Sequence, residues 1–83
     1  MIYDLKPTDG RKSFYGKAVV EITTTPESMT ETLFSYNTPI ISITTDNKTG
    51  ERVVNRLWDG WTATTGRHIK AFCGMNKAEF MRL

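Results

Sequence analysis

The chain has one cysteine, one histidine and three prolines in 83 residues. The lone Cys73 leaves no internal disulfide framework. One His and one Cys cannot supply the roughly four ligands of a zinc site, so no metal is expected. His68 and Cys73 lie five residues apart in a stretch of helical pattern. At about 100° per residue they fall on separate helix faces, which excludes a Cys/His catalytic pair. No glycine-rich phosphate loop of the Walker or Rossmann kind is present. The carboxylates sit mostly in turns and arms, with no pair placed for acid/base work. The expectation is a protein that is not an enzyme, with no catalytic residue and no cofactor.

Long apolar runs are also missing. None approaches the ~20 residues of a membrane span, so no membrane partner is expected. The opening "MIYDLKPTDGRKS" lacks an apolar h-region, which predicts an intracellular, cytoplasmic protein. "NKT" at Asn47 to Thr49 is therefore read as a turn rather than a glycosylation acceptor. The net charge of +2 permits an anionic partner without demanding one.

What is present suits one small soluble domain: 39% hydrophobic and 24% charged residues. Residues 1–12 read as an irregular N-terminal arm docked through Ile2, Tyr3 and Leu5, and residues 13–83 as the domain. In "SFYGKAVVEIT" Phe14, Gly16, Ala18, Val20 and Ile22 alternate with Tyr15, Lys17, Val19 and Glu21, the period of a half-buried strand. "TTTPESMTE" reads as a turn. "TLFSYNTPIISITT" is either one bent edge strand or two strands joined at "YNTP", because Pro39 cannot donate to a ladder. "DNKTGE" is the clearest turn, with Gly50 suited to a positive φ. "RVVNRLW" is a further strand. The spacing predicts strands near Phe14 to Thr23, Thr32 to Thr45 and Arg52 to Trp58, with a core of Val20, Ile22, Ile41, Ile43, Leu57, Ile69 and Phe72.

After Asp59-Gly60 the period changes. Thr65, Ile69, Phe72 and Cys73 share one stripe of a helix from about Ala63 to Cys73, ended by Gly74. Asn76 caps a short terminal helix, "KAEFMRL". The predicted fold is α+β: a three- to four-stranded antiparallel meander, then a C-terminal helix packed on one face and a short terminal helix.

The densest stretch is "RLWDGWTATTGRHIKAF", Arg56 to Phe72, which holds both tryptophans and the only histidine. A helix start presents free N–H groups and the positive end of the dipole. Thr62, Thr64 and Thr65 add hydroxyls, Gly66 allows close approach to the backbone, and Arg67 and His68 add charge or donors. Trp58 and Trp61 offer flat faces for a base. Trp61, Thr62, Thr64, Thr65, Gly66, Arg67 and His68 are therefore candidate ligand-binding residues for an anionic nucleotide or nucleic acid. A structural reading competes at every position: Thr62, Thr64 or Thr65 as the helix cap, a packed core-edge histidine, a core Trp58, a solvated Arg67 and Lys70.

"SFYGKA", "TLFSYNTPI" and "RLWDGWTATTGRHIKAF" resemble a family of small uncharacterised domains from phages, other mobile elements and gut bacteria. That family carries S-F-Y-G-K-A, then S-Y-x-T, then W-x-G-[YW]-[ST]-x-T-T-x-x-H-I-x-x-F. Trp58, Gly60, Trp61, Thr62, Thr64, Thr65, His68, Ile69 and Phe72 fall in place; Pro39 stands where such members show aliphatic residues. The resemblance implies a phage or mobile-element accessory protein at work in a host cell. A second functional expectation is a protein-binding inhibitor of a host system, an anti-CRISPR or other anti-defence protein, with Tyr15, Leu33 and Phe34 as contact candidates. A third is a purely structural motif. A sheet with a bare edge is also expected to pair as a homodimer.

Overall fold

Strand patterning extends further toward the N-terminus than the alternation alone indicates. The computed structural model describes residues 1–7, 14 and 16–83. Within them, β1 (Ile2–Asp4), β2 (Ala18–Thr24), β3 (Ser28–Ser35), β4 (Thr38–Asp46) and β5 (Arg52–Arg56) form a five-stranded antiparallel sheet in chain order. Helices α1 (Ala63–Cys73) and α2 (Lys77–Met81) follow. The segment read as an irregular arm thus supplies an edge strand. Ile2 pairs with Glu21 and Asp4 with Val19, and the terminal ammonium donates to the Ile22 carbonyl at 3.0 Å.

Short side-chain oxygens close the turns. Thr25 Oγ1 accepts from the N–H groups of Glu27 and Ser28, at 3.3 and 3.0 Å. This confines the first hairpin turn to a few residues, and β3 begins at Ser28 rather than Thr32. Asp46 Oδ1 accepts from Lys48 and Thr49 at 2.7 and 3.0 Å, and Gly50 takes a φ of 74°. The long second β region is two strands. They meet at a two-residue turn in which Tyr36 (φ 51°) and Asn37 (φ 67°) are both left-handed, the pattern of the I′ hairpin turn. Pro39 is accommodated inside β4. The register slips between Leu33 and Phe34, which face Ile41 and Pro39, so Ile40 is the extra residue of a bulge. The β4–β5 register reaches only to Ile41, so Pro39 lies beyond that part of the ladder, where a missing donor matters least.

Paired residues share a face. Val20, Leu33 and Ile41 are aligned across three strands and are fully buried. The bulge brings Ile40 into the same core cluster, with Ala18, Phe14, Ile69 and Phe80. Four of the predicted core residues, Val20, Ile41, Ile43 and Ile69, are buried; Ile22 and Phe72 are partly buried and pack against the cluster. Leu57 is a correction: it is 48% exposed, because the alternation along β5 puts it with the exposed Val53 on the face opposite Val54 and Trp58, which pack against the core. Phe80, on the short α2, is instead the largest fully buried side chain.

Helix α1 has the predicted bounds. Thr62 is its N-cap, with its side chain accepting from the Thr65 N–H at 3.1 Å. Gly74, at φ 78°, ends it, and its N–H donates to the Lys70 carbonyl. Asn76 and Glu79 form a capping box at α2. Among the described residues no helix is long and apolar enough to cross a membrane.

Candidate functional site

The end of β3 and the first turns of α1 meet through a buried polar cluster. Ser35 Oγ lies 2.8 Å from His68 Nδ1 and 3.1 Å from Thr65 Oγ1, and all three residues are buried. His68 Nε2 is buried with no hydrogen-bond partner among the described residues. The tautomer that leaves a lone pair there, rather than an unpaired N–H, has Nδ1–H donating to Ser35 Oγ, and Ser35 then donates to Thr65. The Phe14 ring meets the imidazole edge-on at 4.5 Å, and the Tyr36 ring lies 5.9 Å away. Burial, and then the charge of Arg67, hold the His68 pKa below its ordinary value.

Three sequence segments that are far apart in the chain therefore converge on His68. Lys17 joins them from the first segment: its carbonyl accepts from the Tyr36 N–H at 2.9 Å, and its ammonium stands 5.3 Å from the centre of the Tyr36 ring. Tyr36 is bulky and left-handed, a pairing that stores backbone strain. The residue is half exposed, at 53%.

Beside this cluster is an open pocket of about 510 Å³. Two aromatic side chains line it, Tyr36 from the β3–β4 turn and Trp58 from beyond β5, together with Ile40. Ser35 and Thr38 contribute hydroxyls from the hairpin, and Thr62, Thr64 and Thr65 from the start of α1. The first turn of α1 carries no acidic residue, so its dipole is not offset locally.

Of the residues singled out in the sequence, Thr62, Thr64 and Thr65 line this pocket. Trp61, Gly66, Arg67 and His68 do not. Gly66 offers no approach to a ligand, because the Trp61 ring covers it: a Cβ there would lie 2.5 Å from Trp61 Cζ2. Trp61 also packs on Phe80, with ring centres 5.8 Å apart, so it is scaffold rather than an open stacking face. Gly60 is matched in the same way to Trp58, whose Cζ2 would lie 2.6 Å from its Cβ. His68 serves the pocket only through Ser35 and Thr65. Arg67 is exposed on α1.

The protein-contact candidates divide. Leu33 is fully buried in the core, on the helix-covered face, and cannot meet a partner. Phe34 is partly buried on the opposite face, where it lines a groove of about 250 Å³ with Ile2, Val19 and Glu21. Tyr15 lies outside the described residues.

Of the other residues that line this pocket, Trp58 was read from the sequence as a flat face for a base, whereas Ser35, Tyr36 and Thr38 were not singled out as ligand-binding candidates. The signal was the S-Y-x-T pattern: at a tight turn it places a serine inward, a ring outward and a threonine on the next strand.

The chain belongs to the family described as "Family of unknown function (DUF8033)", whose model matches residues 3–82. No curated protein and no solved structure matches the chain.

Proposed function

We propose that this family member is a non-enzymatic binding module whose ligand is a nucleotide, free or as a unit of nucleic acid, held in the pocket at the start of α1. The observation that carries this reading is the union, in one open pocket, of two aromatic side chains with hydroxyls from two separate elements. A base has π-faces for Tyr36 and Trp58. A phosphate accepts hydrogen bonds from threonine hydroxyls and from the free N–H groups of a helix start. On this reading such a module is an accessory protein of a phage or mobile element that acts inside a host cell, a setting that the resemblance to such domains supports.

The test is a titration of the ¹⁵N-labelled protein with adenosine, cytidine, guanosine and uridine monophosphates to millimolar concentration. Shifts of the Thr38, Thr62 and Thr64 amides and of the Trp58 indole N–H are expected. Absence of any shift at these groups overturns the reading.

The second reading is a protein-binding inhibitor of a host defence system. It is favoured by the groove on the sheet face opposite the helices, where Ile2, 64% exposed, stands beside Val19 and Phe34. Binding of a host protein that is lost in Phe34→Asp and kept in Thr64→Ala supports this second reading over the first.

A further inference from the structure

The pocket lies at one end of the sheet, and the strand ends there gather more than one ligand group needs. β2 begins just after Lys17, β3 ends just before Tyr36, β4 begins at Thr38 and β5 ends at Arg56. These strands are neighbours in that order. The register sets Ala18, Ser35 and Thr38 in one row, so Lys17, Tyr36 and Thr38 share the end of the sheet; Arg56 lies opposite Ile41, three residues further in along β4, and Trp58, beyond it, lines the pocket with Tyr36 and Thr38.

Trp58 does not close the far side. A second concavity, of about 400 Å³, is lined by Arg56, Leu57, Trp58 and Asp59. Trp58 is thus shared by two adjoining hollows. Each aromatic side chain also has a cation near it in space or sequence. Lys17 stands over the Tyr36 ring. Arg56 shares the second hollow with Trp58; its guanidinium packs over Phe80 at 5.9 Å and donates a long 3.4 Å bond to the Met81 carbonyl. Among the described residues neither cation is paired with a carboxylate. Asp59 is the one acid lining the second hollow, and it disfavours a phosphate on its own side.

We propose that the site takes single-stranded nucleic acid, along a track that crosses the end of the sheet from Lys17 past Tyr36 and Trp58 to Arg56. The proposal rests on the pocket reading above and narrows it. Alternation of cations with aromatic faces is how sequence-tolerant single-strand binding works: the cations follow the backbone and the rings take unstacked bases. A duplex keeps its bases stacked and out of reach of such rings. A mononucleotide leaves one ring and one cation unused.

The experiment is fluorescence anisotropy with labelled ten-residue oligo-dT and oligo-U at several salt concentrations. A labelled duplex serves as the competing form, and the monophosphate titration described above serves as the reference. Tyr36→Asn removes the ring while suiting the left-handed turn, so the variant folds. It is expected to weaken oligomer binding roughly five- to a hundredfold, the range for loss of one stacked base. Lys17→Ala and Arg56→Ala are each expected to reduce the slope of log K against log salt by about 0.7. Lys17 is exposed, so its variant remains informative if loss of Arg56 disturbs α2. Lys48→Ala, in the turn at the opposite end of the sheet, leaves the slope unchanged. Binding of monophosphates as tight as that of oligomers, or salt slopes unaltered in Lys17→Ala, overturns the track and leaves the pocket reading standing. Equal binding of duplex and single strand also overturns the track. Failure of both oligomers and monophosphates to bind overturns the track and the pocket reading together.

Discussion

Ser35 Oγ bridges His68 Nδ1 at 2.8 Å and Thr65 Oγ1 at 3.1 Å, and so ties the end of β3 to the inner face of α1 across 33 and 30 residues of chain. The bridge is a structural joint beside a pocket that its members Ser35 and Thr65 also line. Removing the Ser35 hydroxyl leaves a buried imidazole nitrogen and a buried threonine hydroxyl short of a partner. Ser35→Ala is therefore expected to destabilise the domain by about 1–3 kcal/mol, as measured by urea denaturation. A loss below about 0.5 kcal/mol would show that water replaces the serine.

His68 gives the joint a pH dependence. Its pKa in the fold is lowered, by burial first and by Arg67 second, whereas in the unfolded chain it titrates near 6.5. Below about pH 6.5 the unfolded chain takes up a proton that the folded protein resists. Stability then falls with falling pH from about 6.5 down to the folded pKa, and above that window this group contributes no slope. Denaturation midpoints at pH 8, 6.5 and 5.5 check the sign. His68→Gln is expected to remove this part of the slope; a stability that rises on acidification would contradict the buried neutral histidine.

The Trp61–Gly66 pair reverses a common rule. Gly66 lies in the interior of α1, where replacement by Ala normally stabilises by up to about 1 kcal/mol. Here the added Cβ would lie 2.5 Å from Trp61, whose ring packs on Phe80. Gly66→Ala is expected to lower the melting temperature, and Gly66→Ala with Trp61→Ala to restore part of the helix-propensity gain relative to Trp61→Ala alone. A melting temperature raised by Gly66→Ala would mean that the ring yields freely.

Helix α1 was legible to its ends because three signals agree there: the 3.6 period through Thr65, Ile69 and Phe72, a threonine before it and Gly74 after it. The split at Tyr36-Asn37 was only half legible. A proline inside a strand argues for a break, yet the break lies before Pro39, and a bulge at Ile40 carries the strand through it. β1 was missed because three exposed residues have no buried face and hence no period to read. Phe80 was underrated because α2 is too short for a stripe. At the pocket, residue types singled out three threonines that line it, Thr62, Thr64 and Thr65. They could not say that Trp61 faces its own helix, or that the hairpin turn supplies the other half of the pocket, since both depend on packing between distant segments.

The core reassignment has a measurable consequence. Phe80 is fully buried, whereas Phe72 is only partly so. Phe80→Ala is expected to cost about 3–5 kcal/mol, and Phe72→Ala distinctly less. If Phe80→Ala does not fold, Phe80→Leu against Phe72→Leu in guanidinium gives the same ranking.

Tyr36 is where stability and binding are expected to part. Its left-handed φ of 51° carries a penalty of roughly 1–2 kcal/mol for a residue with a large side chain, while Asn and Gly are the residues that a two-residue turn of this kind prefers. The residue is half exposed and its ring lies near His68, so loss of the ring surrenders little buried area. Tyr36→Asn is therefore expected to match or exceed wild-type stability in chemical denaturation, while it weakens whatever the pocket binds. That outcome, a stability–activity trade-off, is the one expected if the proposed pocket reading holds and Tyr36 is held for its outward face. If Tyr36→Asn instead destabilises by more than about 1 kcal/mol, the ring is a cover over the unpartnered His68 Nε2. The strain would then serve the fold rather than a ligand.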